Sequence, residues 1–573
     1  MDAIKKLNII DEYDEIDVID NVGLSLQAAL IVDEAIRKKN KELNAGIDDK
    51  TNTWELIIRY IGEISIVAQE LLFEYVELLG GFYIIWINEK DIYSLLKYKG
   101  ILYIDKTSIL QLQEYDRRLC NNVCTLNNGQ IKRNGKGVYI AVIDSGIDIY
   151  NKIFINNSKT KIYKIWDQDV DGIPPSGYRF GTLYNENEIN EYIGKQNDAS
   201  NEKINSFDPS GHGTAVAAIA ISCAYESKLV IVKLSRKQEI NTTASLMMAI
   251  DYCIRISIIE NVPMAINLSY GNNYGDHAGN TVLEKYIDTV SEFAKCGIAV
   301  GSGNDANTSK HNIITVNPYA TERTSIIVGE NNYSFNIQIW RRNNPLIKFT
   351  LIMPNGNKIG PFTTLNKNEN YYENDMVITV VANNPTPYNF RFGMFVSIVS
   401  AKEYLQEGVY EIIFENPTSV ETIINMWLPV EGELSGNVQF ETPNLDNTLT
   451  IPSTANNVIT VGAYNYRTNT YATFSGRGYT LDNIVKPDIV APGVDVLSVD
   501  QNGIYNYYTG TSFATPYVTG EIARLLEYGI VQGNDYFLYG ERLKSVIINN
   551  AKPLYGIINY PDKKVGWGAL CLN

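Results

Sequence analysis

Four short, nearly unbroken apolar runs, VYIAVID, LVIVKL, MAINLSY and GIAVGSG, fall between residues 138 and 303, with helical patterns between them. A strand that is apolar at every position has no face to offer water. It must be covered on both sides, which is the situation of a parallel sheet sandwiched by helices. Helices are expected around 213–224, 243–258 and 280–295. The same texture resumes at VITVGAY and runs to the C-terminus.

Two other regions differ. From Trp54, ELIIRYI reads as a strand, ISIVAQELLFEYVELL as a helix, FYIIWI as a strand, DIYSLLKYK as a short helix and ILYID as a strand. This order makes a small α+β module with its own core. GLSLQAALIVDEAIRKKNKEL, ahead of it, reads as an amphipathic helix, and the acidic stretch at 11–20 as a solvated arm. Between about 330 and 445, SFNIQIW, LIKFTLIM, MVITVVA, MFVSIV, VYEIIFE and INMWLPV alternate with Asn-, Pro- and Gly-rich turns. Six short strands with such turns predict a β-sandwich inserted in the α/β domain. The resulting division is 1–113, 114–330, 331–445 and 446–573.

At 573 residues the chain is too long for one core. Its 49 basic and 65 acidic residues give a net charge of −16 without a basic cluster, which argues against a nucleic-acid partner. The six cysteines are irregularly spaced and read as ordinary thiols, Cys120 and Cys124 included. Acidic residues stand where a secretory apolar segment would be, so no signal peptide is expected, and synthesis is assigned to the cytoplasm. No apolar run is long enough to span a membrane.

Only three histidines are present. His212 lies between glycines in SGHGTAVAAIA, at the start of a small-residue helix, where its ring would face a cleft. His277 and His311 lie in polar stretches, where a solvated ring is the default. Asp144 closes VYIAVID and would enter the crevice at the carboxyl ends of the strands. Ser512 opens a helix in TGTSFATPYVTG, where free N–H groups and the helix dipole favour a developing oxyanion; a simple N-cap is the alternative. Asn304 follows GIAVGSG and is either an oxyanion donor or a turn residue. The triplet Asp-Ser-Gly at 144–146 has no second copy, so an aspartic-protease reading fails, and the G-x-S-x-G elbow of α/β-hydrolases is missing. The chain order Asp, His, Ser is one of three used by convergent serine-protease triads.

VYIAVIDSGID, DPSGHGTAVAAIA, MAINLSYG, VGSGND and TGTSFATPYVTG together resemble the hallmark blocks of subtilisin-like serine proteases of the S8 family. The resemblance implies a subtilisin-like α/β fold with Asp144 as orienting acid, His212 as general base, Ser512 as nucleophile and Asn304 as oxyanion-hole donor. Ser269, Tyr270 and Gly271 would line the substrate strand, and Gly301, Ser302 and Gly303 the P1 pocket. KPDIVAPG (486–493) resembles the loop that precedes the nucleophile in that family.

The 208 residues separating Asn304 from Ser512, the N-terminal α+β module and the β-rich insert most resemble the clostridial spore-germination Csp proteases. That resemblance implies a prodomain at 1–113, a jelly-roll-like insert and a cortex-hydrolase precursor as protein substrate. It also implies a spore-associated location. The prodomain would be cut between Gln113 at P1 and Glu114, with Leu112 at P2 and Leu110 at P4, and would stay bound without a covalent link. No cofactor and no metal are expected; DQDVDG (167–172) is the nearest approach to a calcium loop and reads as a solvated acidic turn. A pseudoprotease scaffold and a general-purpose intracellular subtilisin are the alternative functions.

Overall fold

The four apolar runs become adjacent members of one sheet. In the computed structural model, seven parallel strands stand in the order Ile162–Asp167, Lys228–Lys233, Tyr139–Asp144, Met264–Leu268, Cys296–Gly301, Ile459–Asn465 and Ile489–Pro492. Short antiparallel strands, Thr182–Asn185 and Thr470–Tyr471, lie at its margins. Ile140 and Val142 join a core with the helices His212–Cys223 and Thr511–Leu526. Alternate side chains of that strand point the other way, and the helix Thr243–Glu260, buried along most of its length, packs there. The structure describes residues 21–48, 50–112, 133–195, 204–235, 240–363, 369–373 and 375–571. The acidic stretch at 11–20, Cys120 and Cys124 lie outside them.

Contacts divide the chain into two units. One comprises Leu110–Gly271, Leu283–Ala306 and Asp446–Asn573 and holds the parallel sheet. The other comprises Met1–Ile109, Asn272–Val282 and Asn307–Leu445.

In the second of these, the N-terminal module is an antiparallel sheet built around Thr53–Tyr60, which pairs with both Phe82–Asn88 and Ile101–Lys106. The predicted helix ISIVAQELLFEYVELL is in fact a helix, Ile64–Leu71, followed by a strand, Glu74–Leu78. Leu72 adopts φ 54°, the left-handed conformation that stops a helix. The strand that follows alternates burial with period two, which a helical window averages away. The expected amphipathic helix at 23–43 is likewise three pieces, Leu24–Ile31, Glu34–Arg37 and Lys41–Asn44. Asp33 and Asn40 are extended and restart the chain, and the first piece is buried nearly all round.

The insert holds eleven strands in two antiparallel sheets, one of six and one of five, among the described residues. Their inner faces share one core, in which Phe335 of the larger sheet meets Tyr410 of the smaller edge-on at 5.6 Å. All six strands expected from the sequence are present. Two more come before residue 331: His311–Val316 pairs with Thr422–Trp427, and Thr321–Val328 with Gly408–Glu415. The sandwich therefore begins near residue 311, because these early strands find partners about a hundred residues later.

His277 and His311 are not solvated. Each is almost wholly buried, and each stacks on the Trp427 ring, at 4.1 and 4.7 Å. His311 Nε2 also meets Asn425 Oδ1 at 3.1 Å. The indole supplies an apolar environment that neighbouring polar residues in the sequence conceal.

Candidate active site

Asp144 ends its strand with its side chain fully buried, and His212 begins its helix in the same state. Their side chains meet at 2.7 Å, Nδ1 to Oδ1. Gly213 makes this approach possible: a Cβ there would lie 2.3 Å from the Gly146 carbonyl oxygen and 3.1 Å from Asp144 Cβ. The carboxylate thus fixes the tautomer in which Nδ1 carries the proton and leaves Nε2 as the basic nitrogen.

The carboxylate of Asp208, which the sequence reading missed, organises this corner. It accepts from Ser145 Oγ at 2.7 Å, Gly211 N at 2.9 Å, and both Thr214 N and Thr214 Oγ1 at 2.8 Å. Ser145 Oγ in turn accepts from Gly213 N at 3.0 Å. Asp208 therefore takes the N–H of the cap residue Gly211 and of Thr214, while Ser210 and Ser145 take those of His212 and Gly213, and its bond from Ser145 ties this helix start to the residue after Asp144. Its position in DPSGHGT, three residues ahead of the helix cap Gly211, was the available signal.

Ser512 is the second residue of the helix Thr511–Leu526, so its N–H is among the groups without an intrahelical partner. The next residue, Phe513, lies 5.2 Å from the His212 ring. Asn304 reaches the same helix start: its Oδ1 accepts from Thr511 N at 3.0 Å and from Thr511 Oγ1 at 3.1 Å. Committing the amide oxygen to Thr511 assigns the donor end, Nδ2, to the opposite side of the carboxamide. Ser269 Oγ approaches the Ser512 carbonyl oxygen at 3.4 Å and is held by Asn267, which also receives Thr519 Oγ1. The structure thus brings Asp144, His212, Ser512, Asn304 and Ser269 together at the carboxyl ends of the strands.

Gly301 ends its strand, and the turn beyond it is pinned by bonds from Ser302 N to Val461 O (2.9 Å), Thr450 N to Ser302 O (3.1 Å) and Gly476 N to Gly303 O (2.9 Å). Gly303 has φ 100°, and a Cβ there would strike Thr450. Tyr270–Gly271 is a two-residue strand beside the segment Ile109–Leu112: Tyr270 stands opposite Leu112 and Gly271 opposite Gln111, antiparallel. On the other side of that segment lies Asn241–Thr242, a second wall not foreseen from the sequence. Ile109 and Leu110 are both buried, and Gln111 is partly exposed. Gln113 and Glu114 lie outside the described residues.

KPDIVAPG is a buried ionic support. Lys486 Nζ donates to Asp488 at 2.7 Å and to the Val458 carbonyl at 2.8 Å, and Lys544 meets the other oxygen of Asp488 at 3.0 Å. Burial pulls the Lys486 amine down to about 7. Burial also opposes ionisation of Asp488, yet Lys486 and Lys544 outweigh it and hold that carboxyl below its ordinary value. The segment expected to be a loop is in its middle the sheet strand Ile489–Pro492, and Gly510 N donates to Gly493 O at 2.8 Å, which joins the end of that strand to the turn before Ser512. Asp167 of DQDVDG is not solvated either: it is fully buried and pairs with Lys233 at 3.2 Å.

A sequence profile of the subtilase family matches residues 135–391 and 435–568. The chain belongs to the subtilase family. Residues 20–107 match the Csp protease B prodomain, so this subtilase carries an N-terminal prodomain. Among solved structures, the CspB protease of Clostridium perfringens is 30% identical, with 78% of this chain and 93% of that chain covered and a TM-score of 0.70. Among curated relatives, the subtilase-type proteinase RRT12 of Saccharomyces cerevisiae is 40% identical over 115 residues, 19% of this chain and 22% of that protein. A serine protease/ABC transporter B family protein, tagB of Dictyostelium discoideum, is 31% identical over 150 residues, 19% of this chain and 8% of that protein. The matched part spans less than a quarter of these curated relatives. Among the described residues of this subtilase, no helix is long and apolar enough to cross a membrane.

Proposed function

We propose that this protein is a serine endopeptidase that cuts its own chain between Gln113 and Glu114 and then acts on a protein substrate. The observation carrying this reading is the segment Leu110–Leu112, paired with Tyr270–Gly271 in the way an extended substrate would be, two to three residues ahead of that bond. Ser512 Oγ attacks the Gln113 carbonyl carbon while His212 Nε2 takes the hydroxyl proton. Asn304 Nδ2 and the Ser512 N–H receive the oxyanion. Collapse breaks the Gln113–Glu114 C–N bond, and His212 returns the proton to the leaving amine. Water, deprotonated by His212, then hydrolyses the ester, which restores the serine and leaves a new carboxylate.

On this reading 1–113 is the prodomain, 331–445 together with the strands His311–Val316 and Thr321–Val328 is a jelly-roll-like insert, and the rest of 114–330 with 446–573 forms the catalytic domain. The prodomain stays bound after the cut. In support, Asn40 donates to Asn336 (2.6 Å) and Ser397 (2.9 Å) of the insert. Lys39 Nζ donates to the carbonyls of Ser400, Ala401 and Lys402. The kinship with Csp proteases supports a cortex-hydrolase precursor as substrate and a role in spore germination. Labelling with a fluorophosphonate tests the chemistry: the adduct is expected on Ser512. Terminal sequencing is expected to find Glu114 as a new N-terminus that is absent from Ser512→Ala; labelling elsewhere, or an Ala variant that still cuts itself, would overturn the reading.

A further inference from the structure

Both backbone polar groups of Ile109 are held by side chains. Glu42 Oε2 accepts its N–H at 2.9 Å, and Asn272 Nδ2 donates to its carbonyl at 2.7 Å. Neither side chain is adjacent in sequence: Glu42 comes from the single turn Lys41–Asn44, which Asn40 caps by accepting from Leu43 N. Glu42 is fully buried, and its counter-ion is the equally buried Lys106 at 3.5 Å. Lys106 Nζ also donates to Thr107 O at 2.7 Å. Asn272 is almost wholly buried, and its Oδ1 accepts from Tyr274 N at 3.1 Å.

A buried ion pair is a poor way to gain stability, because hydrophobic residues of similar size do as well or better. What it adds is position, and register is the best-attested use of such groups. The strand fixed here needs that. Leu110–Leu112 is paired with two residues of Tyr270–Gly271 on one side and with the two-residue strand Asn241–Thr242 on the other, and ladders so short specify their own register weakly. A slip of two residues keeps every side chain on its face and is the cheap error; a slip of one turns them all over.

We propose that Glu42 and Asn272 are positioning residues that set the register of the segment 110–112, and so decide which peptide bond beyond it is cut. This rests on the autoprocessing reading above. With Ile109 held at both its N–H and its carbonyl, Gln113 is the fourth residue beyond a fixed point. Without the clamp, the two-residue slips present Gln111 or Tyr115 in its place, giving new N-termini at Leu112 or Asp116.

The test compares the position of the cut with its extent in the full-length chain, by terminal sequencing and intact mass. Replacing the ion pair by apolar residues, Glu42→Leu with Lys106→Met, removes the acceptor for Ile109 N while filling the space. Asn272→Ala removes the other bond. Each is expected to raise the share of Leu112 and Asp116 termini about five-fold, the effect of one hydrogen bond on a ratio. Glu42→Gln keeps an acceptor oxygen and should restore a single terminus at Glu114. Ile57→Ala, a core truncation in the same module, should slow processing and leave its position unchanged. A single Glu114 terminus in the Leu/Met double variant or in Asn272→Ala overturns the inference, as do slipped termini in Ile57→Ala. A wild-type chain that is never cut overturns the autoprocessing reading and the inference with it; a normal wild-type cut with unaltered variants overturns the inference alone.

Discussion

The amide oxygen of Asn304 accepts the backbone N–H of Thr511 at 3.0 Å, one residue before Ser512. This bond orients the carboxamide at the helix start that bears Ser512, the proposed nucleophile. Asn304→Ala is expected to lower kcat by about 10²–10³, the effect known for such a donor in subtilisin itself, with little change in KM. Steady-state kinetics on a peptide substrate check this, and unchanged turnover would remove Asn304 from the oxyanion site.

Asp208 accepts bonds from Ser145, Gly211 and Thr214, all beside the Asp144–His212 pair. Asp208→Ala leaves those buried donors without their acceptor and should destabilise the fold by about 2–4 kcal/mol. It should also lower kcat more than it alters KM, because it loosens the mount of the base and not the substrate strand. Denaturant unfolding together with kinetics measures both; Asp208→Asn should lie between the two.

Burial pushes the Asp105 carboxyl up to about 6, against partly compensating bonds from Lys106 N and Leu26 N. A carboxyl raised in the folded state favours folding while protonated. Its contribution is complete below about pH 4, where the unfolded chain also holds the proton, and is lost as pH rises through about 6. Relative to Asp105→Asn, the wild-type chain should therefore lose stability between pH 4 and 6, by up to about 3 kcal/mol, and run parallel to it above pH 7. Thermal melts of both proteins across that range decide it; parallel curves throughout would refute the shift.

Trp427 stacks with both His277 and His311 and is almost fully buried. Trp427→Ala should cost about 3–5 kcal/mol, chiefly by emptying the space the indole fills. Trp427→Phe should cost less, since a smaller ring can still stack. Chemical denaturation of the two variants ranks them.

Local chemistry explains what could be read from the chain. Asp144, His212, Ser512 and Asn304 each stand at a strand end or helix start marked by adjoining glycine or small residues, so their places follow from a few neighbours. The parallel sheet declared itself for a similar reason, since runs such as VYIAVID need cover on both faces, but its members Ile162–Asp167 and Ile489–Pro492 did not, the second lying in a segment read as a loop. The strand Glu74–Leu78 was hidden because one left-handed residue, Leu72, divided what looked like a single helical pattern.

The amino-acid sequence by itself determined the parallel sheet, the α+β module, the β-rich strands and the motifs that hold Asp144, His212 and Ser512, because each is written in periodicity or in a motif of fewer than about a dozen residues. Tertiary structure alone decided that His277 and His311 are buried on Trp427, that the sandwich begins at His311, and that Glu42 and Asn272 hold Ile109. In each case the partner lies tens to hundreds of residues away. A polar side chain reads as solvated from its neighbours in the chain; only the fold supplies the indole, the strand or the peptide group that satisfies it.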